Sequence, residues 1–166
     1  MSFLTIPLSA SHKKKDFDCG NKLLDIYLQT QASQDVKRKL CACFVLPDND
    51  HTVKGYYTLS NAAIQRALLP ENIIRKLPSS YQNLPATLLG RLAIDNNYKG
   101  KGLGELILID ALKRCFYVSL NEIGSMAVIV DPIDEDAIRF YKKYDFIQLP
   151  GSGKMFISMN TIAGLF

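Results

Sequence analysis

Between Lys99 and Gly104 the chain reads Lys-Gly-Lys-Gly-Leu-Gly, set between one apolar run, Ala86 to Ile94, and a longer one, Leu103 to Leu120. Residues of these types in this order can hold an anion. Glycines let the backbone turn until successive amide N–H groups converge on one point, and a helix starting just after them adds the positive end of its dipole. Strand, glycine turn and helix together predict a phosphate cradle. A turn that merely caps a helix is the plain alternative for an isolated G-x-G, and the flanking runs argue against it. Spacing excludes two familiar phosphate loops. A dinucleotide loop, G-x-G-x-x-G, counted from Gly100 and Gly102 needs glycine where Glu105 stands, and a P-loop needs Ser or Thr where Gly102 follows Gly100-Lys101.

Other reactive side chains are less concentrated. Cys19, Cys41, Cys43 and Cys115 have no Cys or His partner at zinc-ligand spacing, and His12 and His51 lie elsewhere, so core thiols and no metal site are expected. No His or carboxylate stands out as a general base. Asp95 and Glu105 flank the glycine turn, where a negative side chain aimed inward would repel a phosphate, so capping or solvent-facing roles are expected for both. The formal charge of +4 is mild but uneven, with clusters at Lys13-Lys14-Lys15, Lys37-Arg38-Lys39, Arg75-Lys76, Lys99 with Lys101, Lys113-Arg114 and Lys142-Lys143. Such clusters suit either a polyanion surface, with salt-dependent binding, or a set of solvated faces.

The elements that must position these residues can be read in order. A chain of 166 residues, 48% hydrophobic, supports one compact domain over 1–166 with its own core. Glu105, Asp110, Lys113 and Arg114 interrupt the run from Leu103 to Leu120, so no membrane span is expected, and no charged-then-apolar signal opens the chain. A cytoplasmic protein is expected. Phe3 to Leu8 predicts a first strand. A helix follows Gly20, with Leu23, Leu24, Tyr27 and Leu28 at core spacing and Gln31, Ala32, Gln34 and Asp35 extending it. Cys41 to Leu46 and Val53 to Leu59 read as a hairpin around Pro47-Asp48-Asn49-Asp50. Pro70 opens a short helix that Pro78 ends. Then come a strand over Ala86 to Asp95, the helix from Leu103 to Asn121, a strand over Ser125 to Val130, a helix over Asp134 to Tyr144, and strands over Phe146 to Leu149 and Met155 to Asn160. This order predicts α+β structure on a mostly antiparallel sheet, with one parallel step across the helix that follows the glycine turn.

Lys99-x-x-Gly102-x-Gly104 resembles the R/Q-x-x-G-x-G/A pyrophosphate loop of the GNAT superfamily, the acyl-CoA-dependent N-acetyltransferases, with lysine in place of the usual Arg or Gln. The element order matches that fold. The resemblance implies a mixed, mostly antiparallel sheet of six to seven strands flanked by about four helices, and acetyl-CoA as co-substrate. It further implies a diphosphate held mainly through backbone amides over Lys99, Gly100, Lys101, Gly102, Leu103 and Gly104. Pantetheine would pair with the backbone of Leu92, Ala93 and Ile94, where the strand and its neighbour splay apart. A backbone amide near Ala93 or Ile94 would stabilise the oxyanion. Tyr141 sits where the superfamily often carries its general acid, and a phenol of pKa about 10 can protonate a thiolate of about 8.5 without a large mismatch. A half-buried helix aromatic is the alternative for Tyr141, and Tyr144 is the second choice. One departure stands out: the family often ends its last helix with Tyr-Gly-Phe, and here Tyr144-Asp145-Phe146 stands instead. Asp tolerates the left-handed conformation that such an end needs, so a cap with some strain is expected.

A narrower resemblance covers nearly the whole chain. Phe17-Asp18-Cys19-Gly20-Asn21, Leu23-Leu24-Asp25, Tyr27-Leu28, Gln31-Ala32, Gly55-Tyr56-Tyr57-Thr58-Leu59 and Leu89 to Asp95 are similar to the acetyltransferase toxins of bacterial toxin–antitoxin pairs. Those enzymes acetylate the amine of aminoacyl-tRNA, are often homodimers, and are restrained by a ribbon-helix-helix antitoxin. The resemblance implies these partners here, and it leaves Arg91 suited to either the terminal phosphates of the tRNA or a structural ion pair. A housekeeping N-acetyltransferase of a small amine or protein amino group, and an acyl-CoA-binding module without turnover, are the competing readings.

Overall fold

The computed structural model describes residues 2–166. Seven strands form one sheet: β1 (Ile6–Pro7), β2 (Ala42–Pro47), β3 (Val53–Gln65), β4 (Asn83–Ile94), β5 (Ala127–Val130), β6 (Ile147–Gln148) and β7 (Met155–Ser158), in the order β1-β2-β3-β4-β5-β7-β6. The helices are α1 (Lys22–Ile26), α2 (Ala32–Lys37), α3 (Glu71–Ile74), α4 (Leu103–Asn121), α5 (Glu135–Lys143) and α6 (Met159–Ala163). Two compact units divide the chain: residues through Ser60 with Leu89–Arg114, and Asn61–Leu88 with Cys115–Phe166. β3, β4 and α4 each give residues to both.

In the first unit the expected hairpin is present, with β2 antiparallel to β3 and Val45 opposite Tyr56. Alternation along these strands sends Cys43, Val45, Val53 and Tyr56 into a core shared with Phe17, Tyr27, Leu28, Ala32 and Ala93. The helix opens as its polar residues dictate. Asn21 Oδ1 accepts the free amides of Leu23 and Leu24, and Asp25 Oδ1 reaches back to the Cys19 amide at 2.8 Å. Between α1 and α2 the chain widens into a single π-helical turn, Tyr27–Gln31. The first strand is shorter than Phe3 to Leu8. Asp110, buried on α4, accepts the Leu4 amide at 2.6 Å and the Thr5 hydroxyl at 2.5 Å, so a carboxylate takes the place of a partner strand there. Tyr57 Oη donates to the same carboxylate at 2.9 Å.

In the second unit β7 pairs antiparallel with both β5 and β6, and Ile64, Leu84, Ala86, Ala127, Ile129, Leu149 and Phe156 form the core. Asp134 caps α5 by accepting the Ala137 amide at 2.8 Å. The helix ends as its sequence predicts: Asp145 has φ +68°, and the Phe146 amide returns to the Tyr141 carbonyl at 3.2 Å. The last strand stops at Ser158 instead of Asn160, because the Ser158 hydroxyl accepts the Thr161 amide at 3.1 Å and starts α6. All four cysteines are free, and Cys41 lies just before β2. Among the described residues no helix is long and apolar enough to cross a membrane.

Candidate active site

The glycine turn is tied down on its N-terminal side by main-chain and carboxylate contacts. Asp95 is buried, its amide donates to the Lys54 carbonyl at 2.8 Å, and its carboxylate accepts the amides of Asp18 and Asn97 at 3.0 and 2.8 Å. Asp95 is therefore a buried cap, one of the two roles expected, and Glu105 is exposed. Lys99 Nζ donates to the Cys19 carbonyl at 2.5 Å, and its amide donates to the Asn96 carbonyl at 3.4 Å. Its ammonium and its amide each bond within the protein, so Lys99 anchors the turn, and the amides from Gly100 onward remain for a ligand.

Gly100 and Gly102 have φ of +80° and +74°, and a side chain at either would meet no atom within 4 Å. The constraint there is conformational, since left-handed backbone disfavours a Cβ and β-branched residues most of all. At Gly104 a Cβ would lie 3.9 Å from Ile94 Cγ1, an ordinary contact. The Leu106 amide donates to the Gly102 carbonyl at 3.1 Å. The amides of Leu103, Gly104 and Glu105 precede that bond at the start of a 19-residue helix, where no intrahelical acceptor exists for them. This donor set fits a diphosphate.

At the end of β4, Ala93 and Ile94 are buried and Arg91 and Leu92 are half-buried. β3 passes so close that a Cβ on Gly55 would lie 2.5 Å from Ile94 Cδ1 and 3.1 Å from the Ala93 carbonyl. Arg91 enters no ion pair or hydrogen bond among the described residues; its guanidinium lies 3.4 Å from the centre of the Tyr27 ring. The structural ion pair expected as one of its two roles is not seen among the described residues. Tyr27 was legible only as a core-spaced helix residue, and nothing in its local sequence signals the partner on β4. A cavity of about 670 Å³ in the same unit is lined by His12, Lys13, Lys14, Lys15, Thr52 and Tyr98, among others. Its sequence signal was the lysine run. Lys14 Nζ donates to the Leu28 carbonyl and Ser33 hydroxyl, and burial lowers its pKa; Lys13 pairs with Asp50 at 2.8 Å.

Tyr141 belongs to the second unit, and the glycine turn, Leu92 to Ile94 and Arg91 belong to the first. Its side chain is 9% exposed and packs between Phe140 and Phe146, with ring centres at 5.3 and 5.1 Å. Burial pushes its phenol well above the ordinary value. Its hydroxyl makes no hydrogen bond among the described residues, and no buried side-chain oxygen among them lacks one, so the oxygen retains access to solvent. Tyr144, the second choice, packs on Phe140 at 5.2 Å.

Comparison with known proteins extends these observations. The profile of the acetyltransferase (GNAT) family matches residues 25–146. A tRNA-acetylating toxin of Mycobacterium tuberculosis (strain ATCC 25618 / H37Rv) is 34% identical over 130 residues, 78% of this chain and 75% of the relative. The structure of AtaT complexed with acetyl-methionyl-tRNAfMet superposes with TM-score 0.91 at 31% identity, covering 99% of each chain. A Tyr-to-Phe variant of AtaT, bound to acetyl-CoA and to the C-terminus of the antitoxin AtaR, gives TM-score 0.83 at 28% identity over 98% of this chain and 96% of that one.

Proposed function

Because the chain belongs to the acetyltransferase (GNAT) family, we propose that it transfers the acetyl group of acetyl-CoA to the α-amino group of aminoacyl-tRNA, and so acts as a toxin on translation. The likeness over the full chain to a structure holding acetylated tRNA carries this reading. Acetyl-CoA supplies the acyl group as a thioester. The amides over Gly100 to Gly104 hold its diphosphate, with Lys99 anchoring the turn, and the backbone of Leu92, Ala93 and Ile94 aligns its pantetheine arm. The amine attacks the thioester carbon directly, and an amide near Ala93 or Ile94 stabilises the oxyanion. Tyr141 then gives its proton to the departing thiolate. Burial raises the pKa of that phenol, so it enters the step protonated, and the same shift makes it a weaker acid toward the thiolate, leaving its position beside the sulfur to decide the transfer. An aminoacyl ester also suits a site without a general base, its amine being less basic than a lysine side chain.

The same reading implies that 1–166 works as one domain, that the protein is cytoplasmic like its two substrates, that it forms homodimers, and that a ribbon-helix-helix antitoxin restrains it. The test is incubation with labelled acetyl-CoA and total charged tRNA beside simple amines and peptides. Label on aminoacyl-tRNA is expected. Label on amines or peptides alone overturns the proposal in favour of a housekeeping acetyltransferase.

A further inference from the structure

The first unit holds a cation whose charge the protein does not use. Arg91 is half-buried, yet among the described residues it has no carboxylate, carbonyl or hydroxyl partner. Its guanidinium lies against the face of Tyr27. A guanidinium offers five N–H donors in its plane, so stacking occupies its face and leaves its edge available for bidentate pairing with an anion. Partly desolvating a cation beside a ring is favourable enough to hold it still but does not neutralise it.

The platform is itself firmly fixed. Tyr27 is 5% exposed, and its hydroxyl donates to Asp35 Oδ2 at 2.9 Å and lies 3.2 Å from Cys41 Sγ. Behind it, Tyr56 stacks with ring centres 6.5 Å apart and donates its own hydroxyl to the Leu24 carbonyl at 2.7 Å. Tyr27 also opens the π-helical turn. Such turns break the regular helical register and are frequent at functional sites. Here the turn coincides with the residue that supports an unpaired arginine.

Resting on the acceptor proposed above, we propose that Tyr27 is a positioning residue for the nucleic-acid substrate: its ring holds the Arg91 guanidinium flat, with its edge poised to take a phosphate of the acceptor end. The phosphate is the source of affinity, and the ring fixes where that affinity acts.

Six proteins test this: wild type, Arg91→Ala, Arg91→Lys, Tyr27→Leu, Tyr27→Phe and the double variant that combines Tyr27→Leu with Arg91→Ala. Tyr27→Leu should raise KM for charged tRNA about tenfold, the span of a desolvated cation–π contact, with kcat and the KM for acetyl-CoA little changed. Tyr27→Phe, which keeps the ring face, should recover most of that loss. On the Arg91→Ala background, Tyr27→Leu should add nothing, because a platform without a cation has no further effect. Arg91→Lys leaves Tyr27 and its packing intact and should still lose most of the affinity, since an ammonium has no planar fork. Additive effects in the double variant, or Arg91→Lys behaving as wild type, overturn the proposal. Equilibrium binding of total tRNA by the same proteins reads the platform independently of turnover, and removing either the cation or its support should lower the salt slope by about one. Failure to acetylate tRNA with these binding differences intact would reject the acceptor and keep the platform; acetylation with all variants binding alike would do the reverse.

Discussion

The two regions proposed to carry the reaction are built from opposite materials. The glycine turn of the first unit works through main chain: Gly100 and Gly102 adopt left-handed backbone, the first-turn amides of α4 face no acceptor of their own, and Lys99 sends its ammonium to the Cys19 carbonyl. The end of α5 in the second unit offers one side chain for its proposed role, a tyrosine buried between two phenylalanines. A main-chain site tolerates changes of side chain and fails when backbone conformation is lost. A side-chain site fails when a single atom is removed, although its surroundings stay folded.

The largest expected effect breaks the second region. Tyr141→Phe removes only the hydroxyl oxygen and should lower kcat on the order of 100-fold or more, with acetyl-CoA affinity in calorimetry unchanged. Equal rates would end the assignment of Tyr141 as the acid. Its raised pKa also fixes the sign of the pH response: the phenol is protonated across the neutral and mildly alkaline range, so Tyr141 contributes no alkaline decline there. The acid-side loss belongs to the substrate amine, and kcat/KM should climb with pH toward a plateau near about 8.

The next effect breaks the first region. Gly102→Val forces a β-branched residue into backbone at φ +74°, and acetyl-CoA affinity should fall by about tenfold or more, with the cost coming from backbone strain of about 1–3 kcal/mol. Undiminished affinity by calorimetry would remove the turn from the cofactor site. The smallest effect sharpens the contrast. Lys99→Ala should weaken acetyl-CoA binding by less than about tenfold, because it removes an anchoring hydrogen bond that contributes about 1–3 kcal/mol only in part to the bound state. A loss as large as that of Gly102→Val would show that the lysine charge, and not the amides, holds the anion.

These materials also decide what a reader of the sequence can see. Backbone conformation leaves local traces, so the glycine turn was legible from residues within a few positions of one another; for Asp95 capping was one of two roles left open, and the left-handed Asp145 was expected through the resemblance. Pairings between distant segments leave none. The Arg91–Tyr27 stack joins a strand to a helix far earlier in the chain, and the Lys99–Cys19 bond does the same. The shortening of β1 has the same origin, because its replacement partner, Asp110, lies 105 residues from Thr5. Tyr141 stands between these cases. Its helix could be read from its own residues, but its proposed role came only through resemblance, since an isolated buried tyrosine looks the same as any packed aromatic.

Gly55 carries a consequence for how this protein can change. With Ile94 Cδ1 at 2.5 Å and the Ala93 carbonyl at 3.1 Å from where its first side-chain carbon would stand, the smallest enlargement there turns the Ile94 side chain aside and presses on the backbone of Ala93. Those residues carry the backbone proposed to align the acyl arm, whereas the hydrophobic core of the first unit need not dissolve. A lesion at this position would therefore masquerade as a chemical defect in a well-folded protein, and position 55 is where drift could disarm the enzyme without touching a group that reacts.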